Sequence, residues 1–132
     1  MTNNFDLALA DLGFPSFGDD DFFNFSLERG DKTHISVSLH RDQESNLLRI
    51  SACTSNGISH GVSQQFFEQF AQAAMEPFRD GFGVGMLENS DRLCVFYSLP
   101  IQDYVVGKSS AILEKLIEQV EKWDALLPYA GH

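Results

Sequence analysis

Apolar and polar positions follow two periods along this chain, and the switches between them mark out eight elements. Phe5, Ala8, Leu9 and Leu12 recur at helical spacing until Gly13 and Pro15 stop the run, with an Asn as the available cap. Three strand-like runs follow. Phe23, Phe25 and Leu27 alternate with Asn24 and Ser26, and Ile35, Val37 and Leu39 alternate with His34, Ser36, Ser38 and His40. Leu48, Ile50 and Ala52 alternate with Arg49, Ser51 and Cys53. The links between them (28–33, with Gly30, and 41–46) are short and polar, which predicts an antiparallel meander with one buried face.

Ser63 is placed to cap a second helix running to about Phe78. Phe67, Phe70, Ala71, Ala74 and Phe78 draw one apolar stripe along it; Phe66 and Ala73 fall outside the stripe and Met75 flanks it. Two apolar faces on one helix predict two neighbours, its own sheet and a second partner. Pro77 ends or bends the helix. Gly81, Gly83 and Gly85 then alternate with Phe82, Val84 and Met86 in a strand, where glycines permit a bulge or the approach of another backbone. The run from Arg92 to Leu99 is apolar on both faces apart from Arg92 and Ser98, which predicts a central strand closed by Pro100. A last helix, about 106–127, carries Leu113, Leu116, Ile117, Val120, Trp123 and Leu127 on one stripe and ends at Pro128. The order is α-β-β-β-α-β-β-α, an α+β fold with helices packed on an antiparallel sheet.

Length and charge narrow the class. A chain of 132 residues fits one domain spanning 1–132, and 43% hydrophobic residues suit a globular core, though twelve Phe are many. Nine basic against 19 acidic residues leave a net charge of −10, which disfavours nucleic acid and anionic membranes as partners. The start of the chain lacks a basic, apolar leader, and no stretch is long enough to span a bilayer, so a cytoplasmic protein without membrane insertion is expected. Cys53 and Cys94 lie in apolar runs where a buried thiol acts as a small hydrophobe; no disulfide is required and a reducing compartment suffices.

Catalytic chemistry finds little footing. Asp19, Asp20 and Asp21 lack the alternation, central Gly and terminal Glu of a calcium loop, so a solvated turn is expected and no metal. The glycine run has no following helix and no Lys to hold a phosphate. Of the four His, His34 and His40 would stand about 20 Å apart on one strand, too far to share a ligand, and His60 and His132 join no motif. No enzyme, no catalytic residue and no cofactor is predicted. What the pattern leaves over is apolar surface, at Phe5, Phe14, Phe17, Phe22, Leu47 and the second face of the Phe-rich helix, and such surplus marks binding.

Three stretches resemble the class I chaperones of bacterial type III secretion, the small acidic homodimers of the Tir-chaperone type. Leu7 to Leu12 followed by Gly13-Phe14-Pro15 resembles that family's first helix and its ending, though the helix here is shorter. Phe82 to Met86, Asp91-Arg92-Leu93 and Leu99-Pro100-Ile101 resemble its fourth and fifth strands, and Leu113 to Leu127, with Trp123, its last helix. The resemblance implies a cytoplasmic homodimer that binds the N-proximal segment of a virulence effector and keeps it non-globular, with the secretion apparatus as a further partner. It implies dimer contacts at Phe66, Phe70, Ala73, Val84 and Met86, and effector contacts at Phe5, Leu9, Leu12, Phe23 and Phe25. Two other readings fit an α+β domain with surplus apolar surface. One is a carrier whose helices cover a small-molecule cavity, and the other a dimeric adaptor for a folded partner.

Overall fold

The structure, a computed structural model, describes residues 3–29, 33–58, 62–79, 81–86 and 89–127. The expectations at Gly30, His60, Pro128 and His132 lie outside them. The elements are α1 (Asn4–Asp11), β1 (Phe22–Arg29), β2 (Thr33–Asp42), β3 (Leu47–Gly57), α2 (Gln64–Ala73), β4 (Gly83–Met86), β5 (Arg92–Pro100) and α3 (Lys108–Ala125). A 3-10 turn, Glu76–Arg79, separates α2 from β4. This is the α-β-β-β-α-β-β-α order that the hydrophobic pattern predicts.

The five strands form one antiparallel sheet in the order β1-β2-β3-β5-β4. Strict alternation puts Ile35, Val37, Leu39, Leu48, Ile50, Ala52, Val84, Leu93, Val95 and Leu99 on one face, where all are buried. The helices cover that face alone. The opposite face carries Ser36, Ser38, Arg49, Ser51, Cys53, Cys94, Phe96 and Ser98, all exposed or half-exposed. β5 is interior, paired on both sides, but its burial alternates, so a strand buried on both faces is not what forms. The apolar residues of its open face are Cys94 and Phe96, and the Phe96 ring lies over Gly83 of β4. A Cβ at Gly83 would come within 2.3 Å of that ring. The glycine therefore makes room for a side chain, not for a second backbone. Cys53 and Cys94 are half-exposed on the same open face, so neither is the buried hydrophobe that the apolar runs suggest.

α3 lays Ile112, Leu116, Ile117, Val120, Trp123 and the following Leu127 into the core; Ile112 is buried where the pattern expects Leu113, which is only partly buried beside it. Asp124 anchors its far end to the sheet by accepting 2.8 Å hydrogen bonds from the backbone N–H groups of Ser55 and Asn56. α1 begins with Asn3 accepting from the Asp6 N–H at 2.9 Å and stops at Gly13, whose φ of +88° suits a residue without a Cβ. The Asp11 carboxylate then ties α1 to the entry of α3. It accepts from the Tyr104 hydroxyl and, at 2.7 Å, from the Gly107 N–H, while Ser109 Oγ donates to the Ala8 carbonyl at 2.7 Å. The Tyr104 hydroxyl bond first, then the Gly107 N–H, hold the Asp11 carboxyl below its ordinary range. Burial and the Asp11 charge push the Tyr104 phenol up.

Candidate functional site

Among the described residues, two apolar surfaces bear on binding once the core is closed. The first lies beside β1, an edge strand paired only with β2. The Phe14 ring, just past α1, packs at 4.8 Å from Phe23 and 4.7 Å from Phe25, and Leu12 and Leu27 are partly buried beside the core. Phe5 and Leu9 are buried in the core, so they belong to the protomer's own packing and not to its surface. Phe14 belongs to the patch, although the sequence pattern places it only among the surplus. On the other face of β1, Phe22 is 64% exposed and stacks on His40 at 4.5 Å.

The free edge of β1 has a defined polarity. The Arg41 N–H donates to the Asp21 carbonyl at 2.7 Å, which makes that pair a hydrogen-bonded one. Pairs alternate along an antiparallel ladder. Continuing the register, Phe23–Leu39, Phe25–Val37 and Leu27–Ile35 exchange bonds, while Phe22, Asn24, Ser26 and Glu28 point their backbone N–H and C=O groups outward. The outward set can accept a further strand, and Phe23 and Phe25 then flank its side chains on the helix-covered face.

The acidic turn before β1 has a use other than metal. Arg41 Nε donates to Asp21 at 3.0 Å, its Nη2 donates to the Gly18 and Asp20 carbonyls at 3.1 Å, and its guanidinium sits 5.0 Å from the Phe17 ring centre. Gln43 donates to the same Asp21 oxygen at 3.1 Å, and this bond together with Arg41 lowers the Asp21 carboxyl. Phe17 is buried by this arrangement. Among the described residues no group of three His, Cys, Asp or Glu side chains could hold a metal ion, and no helix is long and apolar enough to cross a membrane.

The second surface begins on α2, where the structure turns the helix residues that the resemblance implied as dimer contacts toward the core. Ser63 caps the helix as expected, accepting from the Phe66 N–H at 3.1 Å. The face that meets the core is Phe66, Phe70 and Ala73. Phe66 is 2% exposed and sits edge-on to Trp123 at 5.6 Å, with Phe70 at 6.2 Å from the same indole. The longer stripe is split: Phe70 turns inward, while Phe67 is 56% exposed and Ala71 and Ala74 are exposed, and beyond the helix Met75 and, in the 3-10 turn, Phe78 at 84% continue that surface. Of the expected dimer contacts, Phe66 and Val84 are therefore core residues, Phe70 and Ala73 are partly buried against the core, and Met86, at 45%, is exposed. Both stripes have helical spacing, so periodicity cannot rank them; the position of Trp123 does. α2 ends at Ala73: the Ala74 N–H still donates to the Phe70 carbonyl, but the Met75 N–H turns to the Gln72 carbonyl at 3.1 Å, and Pro77 follows within the 3-10 turn.

A cleft of about 590 Å3 lies between α2, β5 and α3, lined by Ala73, Phe82, Val95 and Trp123 but also by Gln69, Gln72, Glu76, Gln119 and Lys122. It is open and mixed in character, unlike the enclosed apolar cavity a carrier would have.

The surfaces can be set beside known proteins. The structure superposes on a chain of the ExsC–ExsE complex with a TM-score of 0.69 and 22% identity, covering 97% of this chain and 93% of the other. A chain of the HopA1–SchA chaperone–effector complex matches at 0.69 and 19% identity, over 92% of this chain and 90% of that one. One from the heterodimeric ExoU–SpcU complex of the Pseudomonas aeruginosa type III secretion system matches at 0.65 and 16%, over 92% and 96%. The fold is that of the secretion chaperones. No family model matches the chain, and neither does any curated protein sequence.

Proposed function

We propose that this protein is a type III secretion chaperone, a cytoplasmic bacterial homodimer that holds the N-proximal segment of an effector in non-globular form for export. The observation that carries the proposal is the likeness, over 92% of the chain, to a chain of a chaperone–effector complex. The unpaired β1 edge and its Phe14, Phe23 and Phe25 cluster supply the chemistry. Backbone bonds to Asn24 and Ser26 give affinity that tolerates sequence, and the rings select apolar side chains. A disordered segment loses entropy when it is held, so it needs a large contact area, and a dimer doubles what one chain offers.

The dimer contact is assigned to the exposed surface formed by Phe67 of α2, Met75 and Phe78 of the turn that follows it, and Met86 of β4, in place of the buried Phe66 and Val84. The work of such a protein is binding without catalysis.

The test is co-expression with the larger secreted protein encoded by the adjoining gene. A stable complex retained by an N-proximal fragment of that protein supports the reading. A chain that ignores the fragment and binds only the folded remainder would overturn it in favour of an adaptor. A ligand that co-purifies in the cleft and shows in native mass spectrometry would favour a carrier.

A further inference from the structure

Cys53 on β3 and Cys94 on β5 stand directly opposite each other in the register. The Ile101 N–H donates to the Asn46 carbonyl at 3.0 Å, which makes 46–101 a hydrogen-bonded pair in continuation of this ladder. Counting in alternation, Leu47–Pro100 is non-hydrogen-bonded, as a proline requires, and so is Cys53–Cys94. In such pairs the side chains are closest and the Cα atoms lie about 4.5 Å apart. That value falls at the short end of the range, about 4.4–6.8 Å, that a disulfide spans. Both cysteines lie on the open face of the sheet and are half-exposed. The residue facing Cys94 on the other side is Gly85, where a Cβ would meet nothing within 4 Å, so a small reagent can approach.

We propose that Cys53 and Cys94 are a reversible oxidation site, a dithiol that a hydroperoxide closes into a cross-strand disulfide and a thiol such as glutathione reopens. The Cys53 sulfur attacks one peroxide oxygen, forms a sulfenic acid and releases water once the leaving hydroxide takes up a proton. The Cys94 sulfur then attacks the sulfenic sulfur, closing the S–S bond and expelling a second water. Two thiols and one hydrogen peroxide thus give one disulfide and two waters. Reduction consumes two glutathione thiols and returns both protein thiols with one glutathione disulfide. The pair is poised for the first step. The thiol of Cys94 stabilises a Cys53 thiolate by hydrogen bonding, and the Arg92 charge adds to it, so Cys53 is held below an ordinary thiol and Cys94 above. The closed bond would pin the two ends of the segment that contains α2, the 3-10 turn and β4.

The test is a titration of the folded full-length chain with hydrogen peroxide, followed by intact mass, free-thiol count and peptide mapping. The expected result is a mass about 2 Da lower, both thiols lost together, a linked peptide joining Cys53 to Cys94, and full reversal by millimolar glutathione. In Cys94→Ser the first step has no second thiol, so Cys53 remains as a sulfenic acid that dimedone traps; this variant keeps the strand register and reads the mechanism separately. Retention of both thiols in the folded chain would overturn the proposal. Oxidation of each cysteine on its own to a mixed disulfide, or linkage only between copies, would also overturn it.

Discussion

At the scale of single residues, adjacent phenylalanines on α2 have opposite fates. Phe66 fills the space against Trp123, while Phe67, one step round the helix, is exposed. In a monomeric background, Phe66→Ala is expected to cost about 3 kcal/mol in urea unfolding, the usual penalty for emptying a buried ring site, and Phe67→Ala less than about 0.5 kcal/mol; in the dimer Phe67→Ala should cost more, through the contact it lines. Asp11 offers a second test. Its carboxyl is lowered in the folded state by the Tyr104 and Gly107 hydrogen bonds, so the stability it contributes is present above its ordinary value of 3.8. That stability is lost as the pH falls through the folded value. Asp11→Asn should destabilise by about 1 kcal/mol at pH 7, by the usual worth of such bonds, and the gap to wild type should close as the pH falls below 3.8 and through the lowered folded value. Chemical denaturation at several pH values reads both. The sequence pattern signals Asp11 nowhere, because its partners lie more than ninety residues away in the chain.

At the scale of elements, β1 and α2 carry the two proposed contacts, and each can be disabled without touching the core. Ser26 sits on the open face of β1 with its backbone N–H turned to the free edge, so Ser26→Pro removes an outward donor and leaves the β1–β2 ladder whole. The circular dichroism spectrum should be unchanged, and affinity for the effector segment should fall by about tenfold or more, as expected when one backbone bond is lost and the added strand is displaced. Equal affinity in calorimetry would move the segment away from this edge. In the 3-10 turn after α2, Phe78 is the most exposed phenylalanine among the described residues, and Phe78→Glu places a charge in the proposed dimer contact at no cost to the protomer. Light scattering should then report a folded monomer. The element boundaries themselves were readable, since Ser63, Gly13 and Pro100 are local signals acting on their own backbone. α2 ends earlier than Phe78, because the chain tightens into i−3 bonding at Met75 ahead of Pro77.

At the scale of the whole molecule, wild-type protein at micromolar concentration is expected to have twice the chain mass of 14.8 kDa; a monomer would remove the basis for the α2 contact. By itself the sequence determined the order of elements, the antiparallel meander, the buried positions of β2 and β3 and the stripe of α3. Each of these follows from a period of two or 3.6 and from turn residues that act within a few positions. Tertiary structure alone decided which face of α2 is inside, because two stripes of equal helical spacing compete and the Trp123 indole chooses between them. It also decided that Phe5 and Leu9 belong to the core and not to the surface, that the acidic turn grips Arg41, and that Cys53 faces Cys94. Those outcomes depend on which distant segments the sheet brings side by side, and no local pattern records that pairing.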